Sequence, residues 1–270
     1  PHLDRLAREG TRFTQGYAAA PICSASRAAL LTGRSPARLG FEFVTKLPTA
    51  KRPSGHPLIG PPYPLDLPLS EVTLGEVLGA AGYATGYFGK WHVSAHHGGY
   101  LGWSLTHGPL QQGYATGEQE FGSHPYGYVA NPAAKTVVLP TGDYGRDALT
   151  EKAIAFLRAP RTQPFYLHLA HYYVHDPIHA RAPWLVEKYA TRLPAGADPR
   201  RAEYAAMVET LAHLVGQVLR ALDELGLAAK RDPCAGAAAS RAQRRDRAAV
   251  PAWIPLEPDV LNEAVNLGDD

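Results

Sequence analysis

Cysteine is scarce in this 270-residue chain: it has two, Cys23 and Cys234, so no disulfide framework can hold the fold. Charge of one sign is equally lacking. Against 27 Lys and Arg stand 25 Asp and Glu, a net charge of +2 with 19% charged residues, which excludes the footprint of a nucleic-acid or membrane-surface binder. No apolar run reaches the length of a transmembrane span, and Pro1 opens on no signal-peptide pattern. The chain starts without an initiator methionine, directly in the helical pattern H-L-D-R-L-A-R-E-G, and is read as beginning in the middle of something longer. What is present is a 45% hydrophobic fraction, enough to bury the core of one domain with at most a small appendage.

The stretch from Pro21 to Arg34, P-I-C-S-A-S-R-A-A-L-L-T-G-R, predicts a short helix with Ser24 or Ser26 as N-cap and Gly33 as its stop. Cys23 then lies near a helix N-terminus, where free N–H groups and the helix dipole favour an anion. Arg27, four residues on, adds a positive charge suited to a tetrahedral oxyanion. On these features alone, a buried thiol beside an ordinary helix is an equal reading.

Elsewhere, Leu3, Leu6 and Ala7 predict a short helix ended by Gly10, and Thr11 to Tyr17 a strand. Ser35 to Leu69 and Gly98 to Pro140 read as irregular, the second lying over the site. Thr73 and Glu76 have the spacing of a capping box, opening a helix through Leu74, Val77 and Leu78 that stops at Gly82. Tyr83 to Phe88 and Pro164 to Val174 read as strands. Asp143 to Arg158 reads as a helix with Leu149, Ala153, Phe156 and Leu157 on one face, and Glu203 to Leu225 as the longest, with Met207, Leu211, Leu214, Val218, Leu222 and Leu225 at helical spacing.

Helices alternating with apolar strands imply an α/β fold with a mainly parallel sheet. Ligands of such sheets bind beyond the carboxyl ends of the strands, and Lys90, His92 and His175 all fall just past strand ends. Singly, each has a plain reading: a solvated lysine, or a histidine that fixes a loop. His175 and His179 are spaced i,i+4, but Pro177 between them opposes a helix presenting both to a metal. His168 and His171 are assigned to packing. His96 and His97 are assigned to solvent, with contact to substrate as the alternative, and Tyr and Trp side chains between Gly98 and Tyr128 to loop packing or stacking on a substrate ring.

C-S-A-S-R followed by L-L-T-G-R closely resembles the first signature of the type I, formylglycine-dependent sulfatases, with Ala25 where proline is more usual. Gly82 to His92, G-Y-A-T-G-Y-F-G-K-W-H, resembles the second signature, and Tyr172 to Ile178, Y-Y-V-H-D-P-I, the H-x-P segment. The resemblance implies an alkaline-phosphatase-like α/β sandwich and a sulfuric ester hydrolase. In it Cys23 is oxidised by a maturase to formylglycine, whose hydrate is the nucleophile and a calcium ligand. Arg27 balances the charge of that group, Lys90 clamps the sulfate, His92 takes the proton in the release step, and His175 protonates or orients the leaving oxygen. It also implies an aryl or sugar sulfate as substrate, and a periplasmic or secreted location.

The likeness covers residues 1–230, expected as a partial catalytic domain with an incomplete sheet. The paired aspartates and the Asp-Asn that bind calcium in the family have no counterpart here. Near Ala229 the composition turns toward Ala, Arg and Pro (K-R-D-P-C-A-G-A-A-A), so 231–270 is expected as an off-family tail, disordered or frame-shifted. Without those carboxylates a hard cation lacks its oxygen ligands, and loss or severe reduction of activity is expected. The alternatives are an inactive remnant of a sulfatase, or a phosphonate or phosphodiester hydrolase of the same superfamily.

Overall fold

A computed structural model describes residues 2–10, 12–41, 44, 64–129 and 138–227, without the side chains of 128 and 129. Cys234, most of the 35–69 loop and the whole 231–270 stretch lie outside these residues. The helices are α1 (His2–Glu9), α2 (Cys23–Thr32), α3 (Pro36–Leu39), α4 (Leu74–Ala80), α5 (Pro125–Val129), α6 (Ala148–Arg158), α7 (Pro183–Ala190) and α8 (Arg200–Glu224). The strands are β1 (Ala84–Gly89), β2 (Thr116–Glu118) and β3 (Phe165–Ala170). They form one parallel sheet in the order β2-β1-β3, with Gly86 opposite both Thr116 and Leu167, and Gly89 opposite Ala170.

This is the expected α/β architecture, a small parallel sheet covered by helices on both faces. Strand alternation assigns the side chains. Tyr87, Tyr166 and Ala170 pack with Ala25, Ala28 and Leu31 of α2, and with Leu74 and Leu78 of α4. Phe88, Leu167 and Leu169 pack on the other face with Leu149, Phe156 and Leu157 of α6, and with Met207, Leu211 and Leu214 of α8. Each aliphatic side chain so buried contributes about 1.5–3 kcal/mol. None of the described helices is long and apolar enough to cross a membrane.

The capping box forms as its spacing predicts: Glu76 N–H donates to Thr73 Oγ1, and Thr73 N–H to the Glu76 carboxylate. Elsewhere the structure corrects the sequence. Residues 12–17 are turn and coil instead of a strand, with Phe13 and Tyr17 exposed and no partner strand alongside among the described residues. α2 begins one residue before the expected serine caps: Ile22 is its N-cap, without a side-chain bond, and Ser24 and Ser26 lie inside the helix. β3 ends at Ala170 rather than Val174. Leu225 caps α8 and is exposed, outside the core that its spacing suggested. The 98–140 stretch, expected to be irregular, supplies β2 and α5.

Candidate active site

Because α2 starts at Cys23, the thiol sits on the first turn of the helix, buried. Its Sγ lies 3.2 Å from Nδ1 of His92. One helical turn on, the buried Arg27 donates from Nη1 to the Lys90 carbonyl oxygen at 3.0 Å, and the Tyr87 hydroxyl donates to the same oxygen at 2.5 Å. The Arg27 bond ties the chain leaving β1 to α2, and the Tyr87 bond ties it back to β1. The Lys90 side chain is fully buried, and His92 has a φ of 55°, a left-handed conformation that a histidine adopts at a cost, in the turn that aims its ring at Cys23. The helix N-terminus and the Arg27 guanidinium one turn on put positive potential on the Cys23 side of the site, while the Lys90 charge is felt at His96 and His124.

Gly89 brings the exits of β1 and β3 together. Its φ is +100°, and a Cβ there would stand 2.1 Å from the Ala170 carbonyl oxygen, which accepts the Lys90 N–H at 2.9 Å. Lys90, His92 and the segment leading to His175 therefore share the carboxyl end of the sheet.

His175 is half-buried, with Nδ1 2.9 Å from the Tyr126 hydroxyl and 2.8 Å from the Asp176 carbonyl oxygen. It is linked to His92 by a chain of rings. His92 and His96 have centroids 5.4 Å apart, His96 and Tyr100 5.2 Å, Tyr100 and Tyr126 5.5 Å, and Tyr126 and His175 5.8 Å. His97 is exposed as expected, but His96 is half-buried, and burial followed by the Lys90 charge lowers its pKa. His168 and His171 are buried, in keeping with packing; burial pushes His168 down to about 3 and lowers His171.

Sequence reasoning missed the residues behind His175. His124 is fully buried, lies within electrostatic reach of both Lys90 and His175, and is pushed to about 3 mainly by burial. Asp147 caps α6 through the Thr150 N–H at 2.7 Å and accepts the Ser123 N–H and hydroxyl at 2.7 and 2.8 Å. Tyr173, just before His175, donates to the Ser123 carbonyl at 2.9 Å. The signal was F-G-S-H-P-Y, a proline opening a helix directly after a histidine, inside a stretch that read as irregular.

The calcium that the resemblance implies finds no fit in this set. Among the described residues no three His, Cys, Asp or Glu side chains gather where they could hold a metal ion. The side chains next to Cys23 and one turn on are an imidazole and a guanidinium, not the oxygen donors a hard cation takes.

A family model described as Sulfatase matches residues 1–230. N-acetylgalactosamine-6-sulfatase of Homo sapiens is 31% identical over 250 residues, covering 84% of this chain and 42% of that protein. Arylsulfatase A of Bos taurus is 35% identical over 198 residues, covering 66% of this chain and 36% of its own length. The chain thus spans less than half the length of these curated relatives. Among solved structures, Ps i-CgsB in complex with k-i-k-neocarrahexaose is similar with a TM-score of 0.58 and 26% identity, over 84% of this chain and 50% of that one. The phosphonate monoester hydrolase of Agrobacterium radiobacter, at a TM-score of 0.52 and 16% identity over 84% of this chain and 55% of its own, shares the fold.

Proposed function

We propose, because this chain belongs to the sulfatase family, that its site hydrolyses sulfate esters through a nucleophile made from Cys23. The observation that carries the reading is the Cys23–His92 contact at 3.2 Å, beside the buried Arg27 and Lys90. Formylglycine, formed at Cys23 by a maturase, would supply a hydrated aldehyde: one hydroxyl to attack sulfur and a second to release sulfate. Arg27 and Lys90 meet the negative charge of the sulfuryl oxygens, which stays buried through the reaction. His92, in contact with position 23, accepts the proton that must leave before sulfate is expelled. His175 serves the leaving oxygen at the other end of the ring chain, and an aryl or sugar ring fits the exposed Tyr100 midway along that chain. Export to the periplasm or outside the cell goes with the family reading.

A second reading is a remnant that keeps the anion pocket and has lost turnover. It is favoured by the described residues, among which no three His, Cys, Asp or Glu side chains gather to hold a cation. The test co-expresses the chain with a formylglycine-generating maturase, follows the Cys23 peptide by mass spectrometry, and measures release from an aryl sulfate and an aryl phosphate diester. Aldehyde at position 23, with aryl sulfate turnover abolished by Cys23→Ala, is the outcome expected of the first reading. Aldehyde without turnover, and no rise in melting temperature with calcium, is that of the second. Faster release from the diester would move the site to phosphoester chemistry.

A further inference from the structure

We infer that Tyr126 and His124 are positioning residues that hold His175 as its Nδ1–H tautomer, leaving Nε2 as the nitrogen that exchanges a proton with the substrate. The last clause rests on the role proposed above for His175. A carbonyl oxygen can only accept a hydrogen bond, so Nδ1 of His175, 2.8 Å from the Asp176 carbonyl, carries the hydrogen. The Tyr126 hydroxyl oxygen, 2.9 Å from the same nitrogen, is the second acceptor of that N–H.

His124 sets the distance between these two residues. Its Nε2–H donates to the His175 carbonyl at 2.9 Å, and its Nδ1 accepts the Tyr126 backbone N–H at 3.2 Å. Both bonds require the neutral ring, and burial, by pushing its pKa to about 3, keeps it neutral. One imidazole therefore ties the backbone of Tyr126 to that of His175. The phenol is gripped as well, by Phe121 at 5.7 Å, Tyr172 at 5.8 Å and His124 itself at 4.6 Å between centroids. A phenol held on so many sides keeps its oxygen against Nδ1.

The choice of tautomer matters because an unconstrained histidine favours the Nε2–H form. With Nδ1–H committed to two oxygens, Nε2 alone can gain a proton from solvent, form the imidazolium, pass that proton to the leaving oxygen and return to the neutral ring.

The test labels the intact chain with ¹⁵N-histidine and records a long-range ¹H–¹⁵N correlation at neutral pH without substrate. His175 is expected with a protonated Nδ1 and a bare Nε2. Tyr126→Phe should raise the Nε2–H fraction roughly fivefold, about what one net hydrogen bond sustains. His124→Phe should do the same, whereas His124→Gln, which keeps a neutral donor for the His175 carbonyl, should restore the original signal. The buried His168 reports in each spectrum that the fold is intact. An Nε2–H His175 in the unaltered chain, or a ratio moved by neither Tyr126→Phe nor His124→Phe, overturns the inference. The spectra need no turnover, so they stand apart from any failure of the sulfate-ester reading.

Discussion

The two faces of the sheet are built from different materials. Against α6 and α8 the core is aliphatic and phenylalanine-rich: Phe88, Leu149, Phe156, Leu167, Leu169, Met207, Leu211 and Leu214. Against α2 and α4 the sheet turns tyrosine and histidine inward. Tyr87 stacks on His168 at 4.5 Å, and the Tyr166 and Tyr114 hydroxyls lie 3.1 and 3.4 Å from His168 Nδ1. A polar interior is costly unless its groups are satisfied. Its location is informative, because Tyr87 and Arg27 reach from this face to the Lys90 carbonyl. One face holds the sheet; the other aims the site.

Acid should separate the faces most sharply. His168, on the tyrosine-lined face, is held near 3 in the fold against an ordinary value of 6.5, and so is His124, which packs away from that face on Tyr172 and Tyr173. Between those values the unfolded chain binds protons that the folded chain refuses. Their contribution is therefore complete above about pH 6.5 and is lost as pH falls toward 3, at about 1.4 kcal/mol per pH unit for each ring. Melting curves from pH 7 to pH 4 should show this fall, and His168→Phe should reduce its slope while lowering stability at pH 7, because the Tyr166 and Tyr114 hydroxyls lose their partner at Nδ1. An unchanged slope in that variant would break the comparison. Next in size, Leu214→Ala on the aliphatic face should cost roughly 2–5 kcal/mol in denaturant unfolding, with a slope against pH like that of the unaltered chain. The smallest effect is expected from Tyr87→Phe, roughly 0.5–1.5 kcal/mol, since one buried hydroxyl is lost and the Lys90 carbonyl keeps Arg27 as donor.

What could be read from the sequence follows the same division. The strings holding Cys23, Arg27, Lys90 and His92 are short and continuous, and they meet through the Arg27 side chain on the Lys90 carbonyl and the Cys23–His92 contact. Leu149, Ala153, Phe156 and Leu157 fall on one buried face because helical periodicity alone decides it. His124, Tyr126 and Tyr100 gave no such signal, as their contacts depend on side chains 26 to 51 positions apart along the chain, such as Tyr100 to Tyr126 and His124 to His175. The strand expected over Thr11 to Tyr17 had suitable residues but no neighbour among the described residues, and a strand exists only in a pair. α7 was overlooked for a related reason: its single fully buried side chain, Leu185, is too little periodicity to register.

The Ala170 carbonyl oxygen deserves a mechanical description. It receives the Lys90 N–H and leaves no room for a side chain at position 89, so the two strand exits are bolted at one atom. The segment bearing Lys90 and His92 and the one running on to His175 are thereby coupled as levers on a common pivot. Both ends of the site are registered to one fixed point at the carboxyl end of the sheet.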